Sequence, residues 1–103
     1  MPKGYWIARV DVHDAEAYKA YVTANAAAFA KYGARFLVRG GRFDSVEGLS
    51  RARNIVLEFP SYDAAIACWN SPEYKEALAH RTDPSVSVAD LIIIEGYDGP
   101  QPG

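Results

Sequence analysis

The sequence predicts an α+β domain in which a four-stranded antiparallel sheet carries two helices on one face. The first observation is the order of the elements, strand, helix, strand, strand, helix, strand, for which this arrangement is an economical solution. The second is length, because 103 residues suffice for a single two-layer core. The third is composition, since 50% of the residues are hydrophobic and 23% are charged, as in ordinary globular proteins.

The first strand and the first helix have clear signals. Aromatic and β-branched residues over Gly4–Asp11 predict a strand. Asp14 is the expected N-cap of an alanine-rich helix that ends near Gly33. Residues three and four apart give this helix one core-facing side, made of Tyr18, Tyr21, Val22, Asn25, Phe29 and Tyr32. Asn25 is the one amide on that side.

The middle of the chain predicts two strands that pair as an antiparallel hairpin. The first is expected to be long and bent over Arg35–Glu47, because the pair Gly40–Gly41 indicates a bulge or a sharp bend. Gly48–Arg51 forms the turn, and Arg53–Phe59 forms the second strand, which Pro60 ends.

The second helix is predicted to break and restart. It begins at Ser61 and reaches Asn70, and Ser71 then caps a new start, because Pro72 is favoured in a first helical turn. The restarted helix is expected to continue to about Arg81.

The end of the chain predicts a loop over 82–88, a last strand over 89–96 and a tail. Residues 98–103 contain two prolines and two glycines, which disfavour regular structure. We therefore expect a single domain over 1–97 and a tail over 98–103.

Two strands are apolar on both of their faces, namely Ile55–Leu57 and Leu91–Ile94. Helices on one side of the sheet can cover only one of those faces. The simplest cover for the other face is a second copy of the same sheet. The pattern therefore predicts a homodimer built sheet to sheet.

Charge and targeting patterns narrow the partners and the compartment. The net charge is −2 with scattered basic residues, which disfavours nucleic acid and anionic membranes as partners. The sequence has one cysteine, so no internal disulfide forms and a reducing cytoplasm is the expected location. Neither a signal-peptide pattern nor an apolar stretch of about 20 residues is recognisable.

Five short motifs along the chain are similar to those of one protein family. They are Lys3–Trp6, Phe36–Gly41, Glu58–Tyr62, Ser71–Tyr74 and Ile94–Tyr97. In this combination, and over nearly the whole chain, the sequence resembles the domain of unknown function 1330 (DUF1330) family, within the dimeric α/β-barrel superfamily. The resemblance implies a ferredoxin-like protomer whose sheet pairs with that of its twin to form a barrel.

The wider superfamily that this resemblance implies contains cofactor-free monooxygenases, haem-degrading oxygenases, small isomerases and haem enzymes. In several of these, the pocket lies between the sheet and the helices of each protomer. Because a fold hosts many functions, this is an analogy.

The first candidate site lies around the helix break. Trp69 and Tyr74 are candidate pocket walls, while Asn25 and Asn70 offer amides to a carbonyl or a phenol of a substrate. The alternative is that both aromatic residues belong to the core and that Asn70 caps the break.

His80 and Arg81 are the candidate catalytic residues. A histidine titrates near neutral pH and serves as a general acid or base, and a guanidinium can hold a carboxylate in a bidentate manner. The alternative is a favourable interaction of two cationic side chains with a helix C-terminus, worth about 0.3–1 kcal/mol.

Other residues of chemical interest give weaker signals. His13 and Cys68 have no partners at metal-ligand spacing, so we expect neither a metal nor a cofactor. Cys68 is expected to be a small buried hydrophobic residue.

Arginines surround the glycine pair of the bent strand and are expected to pair with acidic residues across strands or subunits. They are Arg9, Arg35, Arg39 and Arg42, with Asp11, Asp44, Glu47 and Glu58 as their candidate partners. An arginine buried without an acidic partner would instead favour an anion pocket, because an unpaired buried charge is costly.

These patterns predict a small homodimer that binds a small organic molecule, aromatic or carboxylated, in one pocket per protomer. If the protein is an enzyme, the superfamily analogy implies a cofactor-independent oxygenase or isomerase. The alternative is a non-catalytic structural or ligand-sensing module.

Overall fold

The structure is a computed structural model that describes residues 2–103. It contains β1 (Gly4–Val12), α1 (Ala15–Lys31), β2 (Arg35–Arg39), β3 (Arg53–Phe59), α2 (Tyr62–Asn70), α3 (Pro72–Leu78) and β4 (Ser87–Glu95). The strands form one four-stranded sheet in the order β2-β3-β1-β4, with antiparallel pairing throughout. The predicted ferredoxin-like α+β fold is confirmed.

The ends of α1 lie where the sequence predicts them. The Asp14 side chain accepts a hydrogen bond from the Ala17 N–H at 3.1 Å, which satisfies one free amide of the first turn. After Tyr32, Gly33 has a φ of 73°, a left-handed conformation that glycine adopts without steric cost.

The break between α2 and α3 is confirmed, and one side chain produces it. The Ser71 hydroxyl donates to the Cys68 carbonyl at 2.7 Å and accepts from the Tyr74 N–H at 3.1 Å. The same serine therefore closes α2 and caps α3, with Pro72 in the first turn.

Helix α3 ends at Leu78, and the expectation that it continues to about Arg81 was wrong. The N–H groups of His80 and Arg81 bond instead to carbonyls three residues back, at 3.0 Å each. Such bonds tighten the last turn. After this turn the chain continues to β4, which begins at Ser87 rather than at 89.

Strand β2 ends at Arg39, so the long bent strand expected over 35–47 was also wrong. Gly40 has a φ of 68° and its N–H donates to the Asn54 carbonyl at 2.9 Å. The chain then turns out of the sheet, because a left-handed residue does not continue a β ladder.

Residues 40–52, which we call the arm, have no helix or strand. The arm is fixed near its end by Arg51, which contacts Asp11 at 2.8 Å and Asp90 at 2.7 Å. The Ala52 N–H also donates to Asp11, at 2.9 Å. Hence the arm is attached to the face of the sheet that lies opposite the helices.

The core lies between the helices and the sheet, with Trp6 at its centre. Trp6 is 1% exposed, and its indole N–H donates to the Ala65 carbonyl at 2.9 Å. It contacts the rings of Phe29, Phe59, Trp69 and Tyr74. Because strand side chains alternate between faces, Ala8 and Val10 point to the same side as Trp6 and are also buried.

The opposite face of the sheet presents a row of apolar side chains. Ile7 pairs with Val56 on one side and with Ile92 on the other, and Val38 pairs with Val56. Ile92 is 56% exposed and Val38 is 42% exposed. This row, Val38–Val56–Ile7–Ile92, is called the outer apolar row below.

Within residues 2–103, no helix has the length and apolar character that crossing a membrane requires.

Candidate functional site: a cationic cleft between α1 and the sheet

A narrow cleft of about 30 Å³ lies between α1 and the helix-facing side of the sheet. That volume holds one or two water molecules. The residues that line it come from all four strands, from α1 and from the segment after α3: Trp6, Ala8, Val10, Tyr18, Tyr21, Val22, Asn25, Phe29, Phe36, Arg39, Arg53, Ile55, Leu57, Arg81, Ala89 and Leu91. The lining is mainly apolar, with a few polar groups.

The aromatic end of the cleft is formed by Trp6, Phe29 and Phe36. The rings of Trp6 and Phe29 meet edge to face with centroids 5.5 Å apart, and those of Phe29 and Phe36 do so at 5.9 Å. Edge-to-face contacts of this kind are the favoured geometry for aromatic pairs.

The cationic end of the cleft is formed by Arg53 and Arg81 together with Tyr18 and Tyr21. The guanidinium of Arg81 lies 5.0 Å from the centroid of the Tyr21 ring, and the Tyr18 and Tyr21 rings are 5.3 Å apart. Burial, and then the neighbouring Tyr21, raise the pKa of Tyr18, while Arg53 and Arg81 act in the opposite direction. The two arginines therefore act on the same phenol.

Arg81 is a buried cation whose side chain contacts no carboxylate in the described chain. It is 8% exposed, and its Nη2 donates to the Tyr74 hydroxyl at 3.0 Å. Burial acts to lower the pKa of Arg81, but contacts with Tyr74 and Tyr21 outweigh it and the pKa is raised. The guanidinium consequently remains charged in an apolar setting, which is costly without a counter-ion.

Two less buried arginines, the half-buried Arg53 and the exposed Arg39, also line the cleft and form no ion pair with a carboxylate of residues 2–103. The Nε of Arg53 is buried and has no hydrogen-bond partner among residues 2–103, and the Arg39 guanidinium lies 4.1 Å from the centroid of the Phe36 ring. The ion pairs found in that range involve other cations: Lys19–Glu16, Lys31–Glu73, Arg51–Asp11 and Arg51–Asp90. The cleft thus gathers positive charge without an internal acid.

Asn25 lies on the cleft wall between the two ends. It is 7% exposed, and its side-chain amide forms no hydrogen bond with another described residue. It is one turn of α1 from Tyr21 and one turn from Phe29, because residues four apart lie on the same face of a helix. An amide with both a donor and an acceptor therefore faces the cleft between its cationic and aromatic ends.

Tyr74 lies directly behind the cationic end. Its hydroxyl is 2.9 Å from that of Tyr21 and accepts from Arg81, and its ring is fully buried. Burial, followed by the neighbouring Tyr21, raises the pKa of Tyr74 well above the usual range. Tyr74 is therefore neutral and positions Arg81.

Three other predicted site residues lie away from the cleft lining. Trp69 is half-buried and packs against Tyr74 with ring centroids 5.3 Å apart. The Lys75 Nζ lies 4.5 Å from the centroid of the Trp69 ring. Asn70 is exposed at the end of α2, and His80 is exposed two residues after the end of α3. Of the six predicted residues, the structure brings Asn25 and Arg81 into one cleft and places Tyr74 next to it, and their roles stay predictions.

Sequence reasoning missed Tyr18, Tyr21 and Arg53 as cleft residues. A signal for Arg53 was present, because in β3 it alternates in phase with Ile55 and Leu57 and so shares their core-facing side. The pairing of surface arginines was also assigned to the wrong residue. Asp11 pairs with Arg51, whereas Arg9 donates to the Leu49 carbonyl at 2.9 Å.

No group of three or more His, Cys, Asp and Glu side chains arranged to hold a metal ion occurs within residues 2–103. Cys68 is fully buried, and burial, with a smaller effect of Glu73, raises the pKa of its thiol to about 12. At neutral pH it is a thiol rather than a nucleophilic thiolate.

The fold and the cleft together define a ferredoxin-like α+β protein with a cationic cavity between its helices and its sheet. Residues 3–97 match the profile of the family described as Domain of unknown function (DUF1330). The chain belongs to that family.

Solved structures of similar fold include RPA0582, a protein of unknown function from Rhodopseudomonas palustris, at a TM-score of 0.73 and 21% identity over 95% of this chain and 85% of that one. SnoaB, a cofactor-independent oxygenase from Streptomyces nogalater, has a TM-score of 0.60 and 14% identity over 96% and 97% of the two chains. A dimeric ferredoxin-like protein of unknown function from Thermobifida fusca has a TM-score of 0.55 and 18% identity over 90% and 92%. A search of curated proteins found no match.

Proposed function

We propose that the protein binds a small organic anion, with the carboxylate of the ligand held by the arginines of the cleft. The observation that carries this proposal is Arg81, a buried cation without a carboxylate partner. Arg53 and Arg39 line the same cleft, so the positive charge is concentrated there. A bound carboxylate would supply the missing counter-ion.

The energetics favour a ligand over a purely structural role. Burying a charge costs several kcal/mol unless it is paired, and the partners of Arg81 are the neutral phenols Tyr74 and Tyr21. A guanidinium binds a carboxylate through two parallel hydrogen bonds, which are stronger than those to neutral groups. A bound carboxylate would therefore offset the free-energy cost of burying the unpaired guanidinium of Arg81.

The chemistry of the lining favours binding over acid–base catalysis. Across the described chain, the titratable groups that line the cleft are tyrosines and arginines, and His80 lies outside it. A general acid or base near neutral pH is usually a histidine or a carboxylate. A ligand-binding or ligand-sensing protein is thus the first proposal.

A cofactor-independent oxygenase is the second proposal, supported by the fold that this chain shares with SnoaB. Oxygen uptake in an electrode cell in the presence of a bound ligand tests it directly. Consumption of oxygen that is lost in the variant Arg81→Met would favour this second proposal over simple binding.

Isothermal titration calorimetry with benzoate and with its neutral analogue benzamide tests the binding proposal. Benzoate should bind, benzamide should bind much more weakly, and Arg81→Met should weaken benzoate binding by at least about 30-fold, because loss of one partner of a buried charge pair costs roughly 2–5 kcal/mol. Arg51→Met is the matched control, since Arg51 is already paired outside the cleft. Equal affinities for benzoate and benzamide would contradict the proposal.

We further propose that two copies pair sheet to sheet through the outer apolar row. Ile92, Val38 and Ile7 are exposed there, and a contiguous apolar face of this kind is typical of an interface. The Thermobifida fusca protein of similar fold is dimeric. The buried free thiol of Cys68 fits the cytoplasmic location expected from the sequence.

Sedimentation velocity tests the dimer with a pair of charge substitutions. Ile92→Glu places a charge in the outer apolar row and should convert a dimer into a monomer. Ala27→Glu, on the exposed side of α1, should leave the dimer intact. A wild-type monomer at micromolar concentration would exclude the proposed assembly.

A further inference from the structure

The Asn25 amide is the polar group of the cleft that the anion proposal leaves without a role. We infer that the cleft selects an aromatic carboxylate whose ring carries a hydroxyl or keto oxygen opposite the carboxylate, and that Asn25 binds this oxygen. The inference rests on the proposed anion site and extends it to a ligand class. It is carried by the side chain of Asn25, a residue that is 7% exposed and lines the cavity.

The aromatic end indicates what the body of the ligand is. The wall around Asn25 includes the rings of Trp6, Phe29 and Phe36, with the Arg39 guanidinium over Phe36, and such surfaces bind flat apolar groups. Ala8 lies at the centre of the sheet, where it pairs with Ile55 and Leu91. Its small side chain leaves space in the cleft that it lines. An aromatic ring matches this lining better than a polar metabolite does.

The spacing along α1 indicates where the second polar group of the ligand lies. Asn25 is four residues from Tyr21 and seven from Tyr18, which corresponds to rises of about 6 Å and about 10 Å along the helix. Tyr21 and Tyr18 mark the level of the arginines. A single ring with substituents at opposite ends spans a separation of this order, whereas adjacent substituents do not.

The chemistry of an amide indicates which oxygen it binds. The Asn25 side chain has an NH₂ donor and a carbonyl acceptor, so it pairs with a hydroxyl, which donates and accepts, or with a keto oxygen, which accepts. A ligand without such a group leaves the buried amide unpaired. On general grounds this lowers affinity by about tenfold to a hundredfold.

Calorimetry with three probes tests the inference: 4-hydroxybenzoate, benzoate and acetate. The wild type should bind 4-hydroxybenzoate at least about tenfold more tightly than benzoate, and acetate most weakly. Asn25→Leu, which keeps the side-chain size, should lose the preference for the hydroxyl, so that it binds 4-hydroxybenzoate no more tightly than benzoate. Arg81→Met should weaken both aromatic ligands. Asn25→Ala is the alternative variant if leucine perturbs folding, as judged by circular dichroism.

The failure of this inference is distinguishable from that of the anion proposal. Equal binding of benzoate and 4-hydroxybenzoate by the wild type overturns the role of Asn25 but leaves the arginine site standing. A preference that persists in Asn25→Leu has the same meaning. Acetate binding as tightly as benzoate overturns the aromatic end, and binding of none of the three overturns both proposals.

Discussion

Arg51 and Arg81 show two opposite ways in which this protein treats a guanidinium. Arg51 fixes the arm through two carboxylates, Asp11 and Asp90, and its side chain is 28% exposed. Arg81 is more deeply buried, at 8% exposure, and has only phenols around it. The charge of Arg51, which water would have screened, is paired with two carboxylates. The charge of Arg81, which is costly because it is buried, has no carboxylate partner. The difference supports the proposal that the charge of the cleft is kept for a ligand.

The largest expected effect comes from supplying the cleft with its own acid. Asn25→Asp introduces a carboxylate of nearly the same shape into the cleft that the arginines line. It should compete with the ligand and repel its carboxylate, so that 4-hydroxybenzoate affinity falls by a hundredfold or more, equivalent to about 3 kcal/mol. Calorimetry measures the loss.

The control for this substitution is Ala26→Asp, which places the same charge on the exposed side of α1. It should bind 4-hydroxybenzoate as the wild type does. Unchanged affinity in Asn25→Asp would mean that the ligand carboxylate binds elsewhere.

The next effect concerns stability and has opposite signs at the two arginines. Replacing a buried charge by an apolar side chain of similar size is often neutral or stabilising by about 1–4 kcal/mol, so Arg81→Met should maintain or raise the free energy of unfolding. Arg51→Met should lower it, because Asp11 and Asp90 lose their partner. Urea denaturation of both variants without ligand gives the two values, and a strong destabilisation by Arg81→Met would indicate a structural role for the cation.

Tyr74→Phe should produce an intermediate effect. It removes the hydroxyl that accepts from Arg81 and contacts Tyr21, while the ring and its packing remain. Leaving a buried donor unpaired costs roughly 1–3 kcal/mol, and denaturant unfolding measures it. In the double variant Tyr74→Phe/Arg81→Met the cost should largely disappear, and a purely additive result would show that the two groups are not coupled.

The smallest expected effect is a loosening of the arm at acid pH. The Ala52 N–H, followed by Arg51, lowers the pKa of Asp11 in the folded state. Its contribution is therefore complete above the unfolded pKa of about 3.9 and is lost as pH falls through the lower folded pKa. Hydrogen exchange of residues 40–52, corrected for the intrinsic effect of pH, should show loss of protection in that window.

Asp11→Asn should give the same loss of protection at neutral pH, because the amide keeps the shape but not the charge. Asp90→Asn, which removes the more exposed of the two contacts, should change it less. Protection that is independent of pH in the wild type would mean that other contacts hold the arm.

The fold was predictable because its signals are local. Helix ends are fixed by the side chains or the backbone of Asp14, Gly33 and Ser71. The structure has these ends where the sequence predicts them. The path of the arm was not predictable from such signals. Gly40 is compatible with either a bulge or an exit from the sheet, and only the pairing available to the next residues decides between them.

The candidate site was partly predictable for a related reason. Asn25 follows from the periodicity of α1, and Arg81 was singled out by its residue type. Whether a side chain lines a cavity or fills the core depends on distant partners, however, and Tyr74 contacts Trp6, Tyr21 and Arg81 from three separate segments. Spacing along one helix carries no information on those contacts.

The burial of Cys68 provides a way to watch the cleft open. It is the sole cysteine, and its Sγ lies 3.8 Å from the Ala28 carbonyl, at the contact between α2 and α1. A thiol that is buried and protonated reacts with alkylating reagents only when that contact separates. The cleft, at about 30 Å³, must widen to admit a ring. If α1 lifts from the sheet, alkylation of Cys68 accompanies entry, and if only the arginine side chains swing aside, the thiol stays protected. The rate of alkylation of Cys68 in the unmodified protein thus reports whether α1 moves away from the sheet.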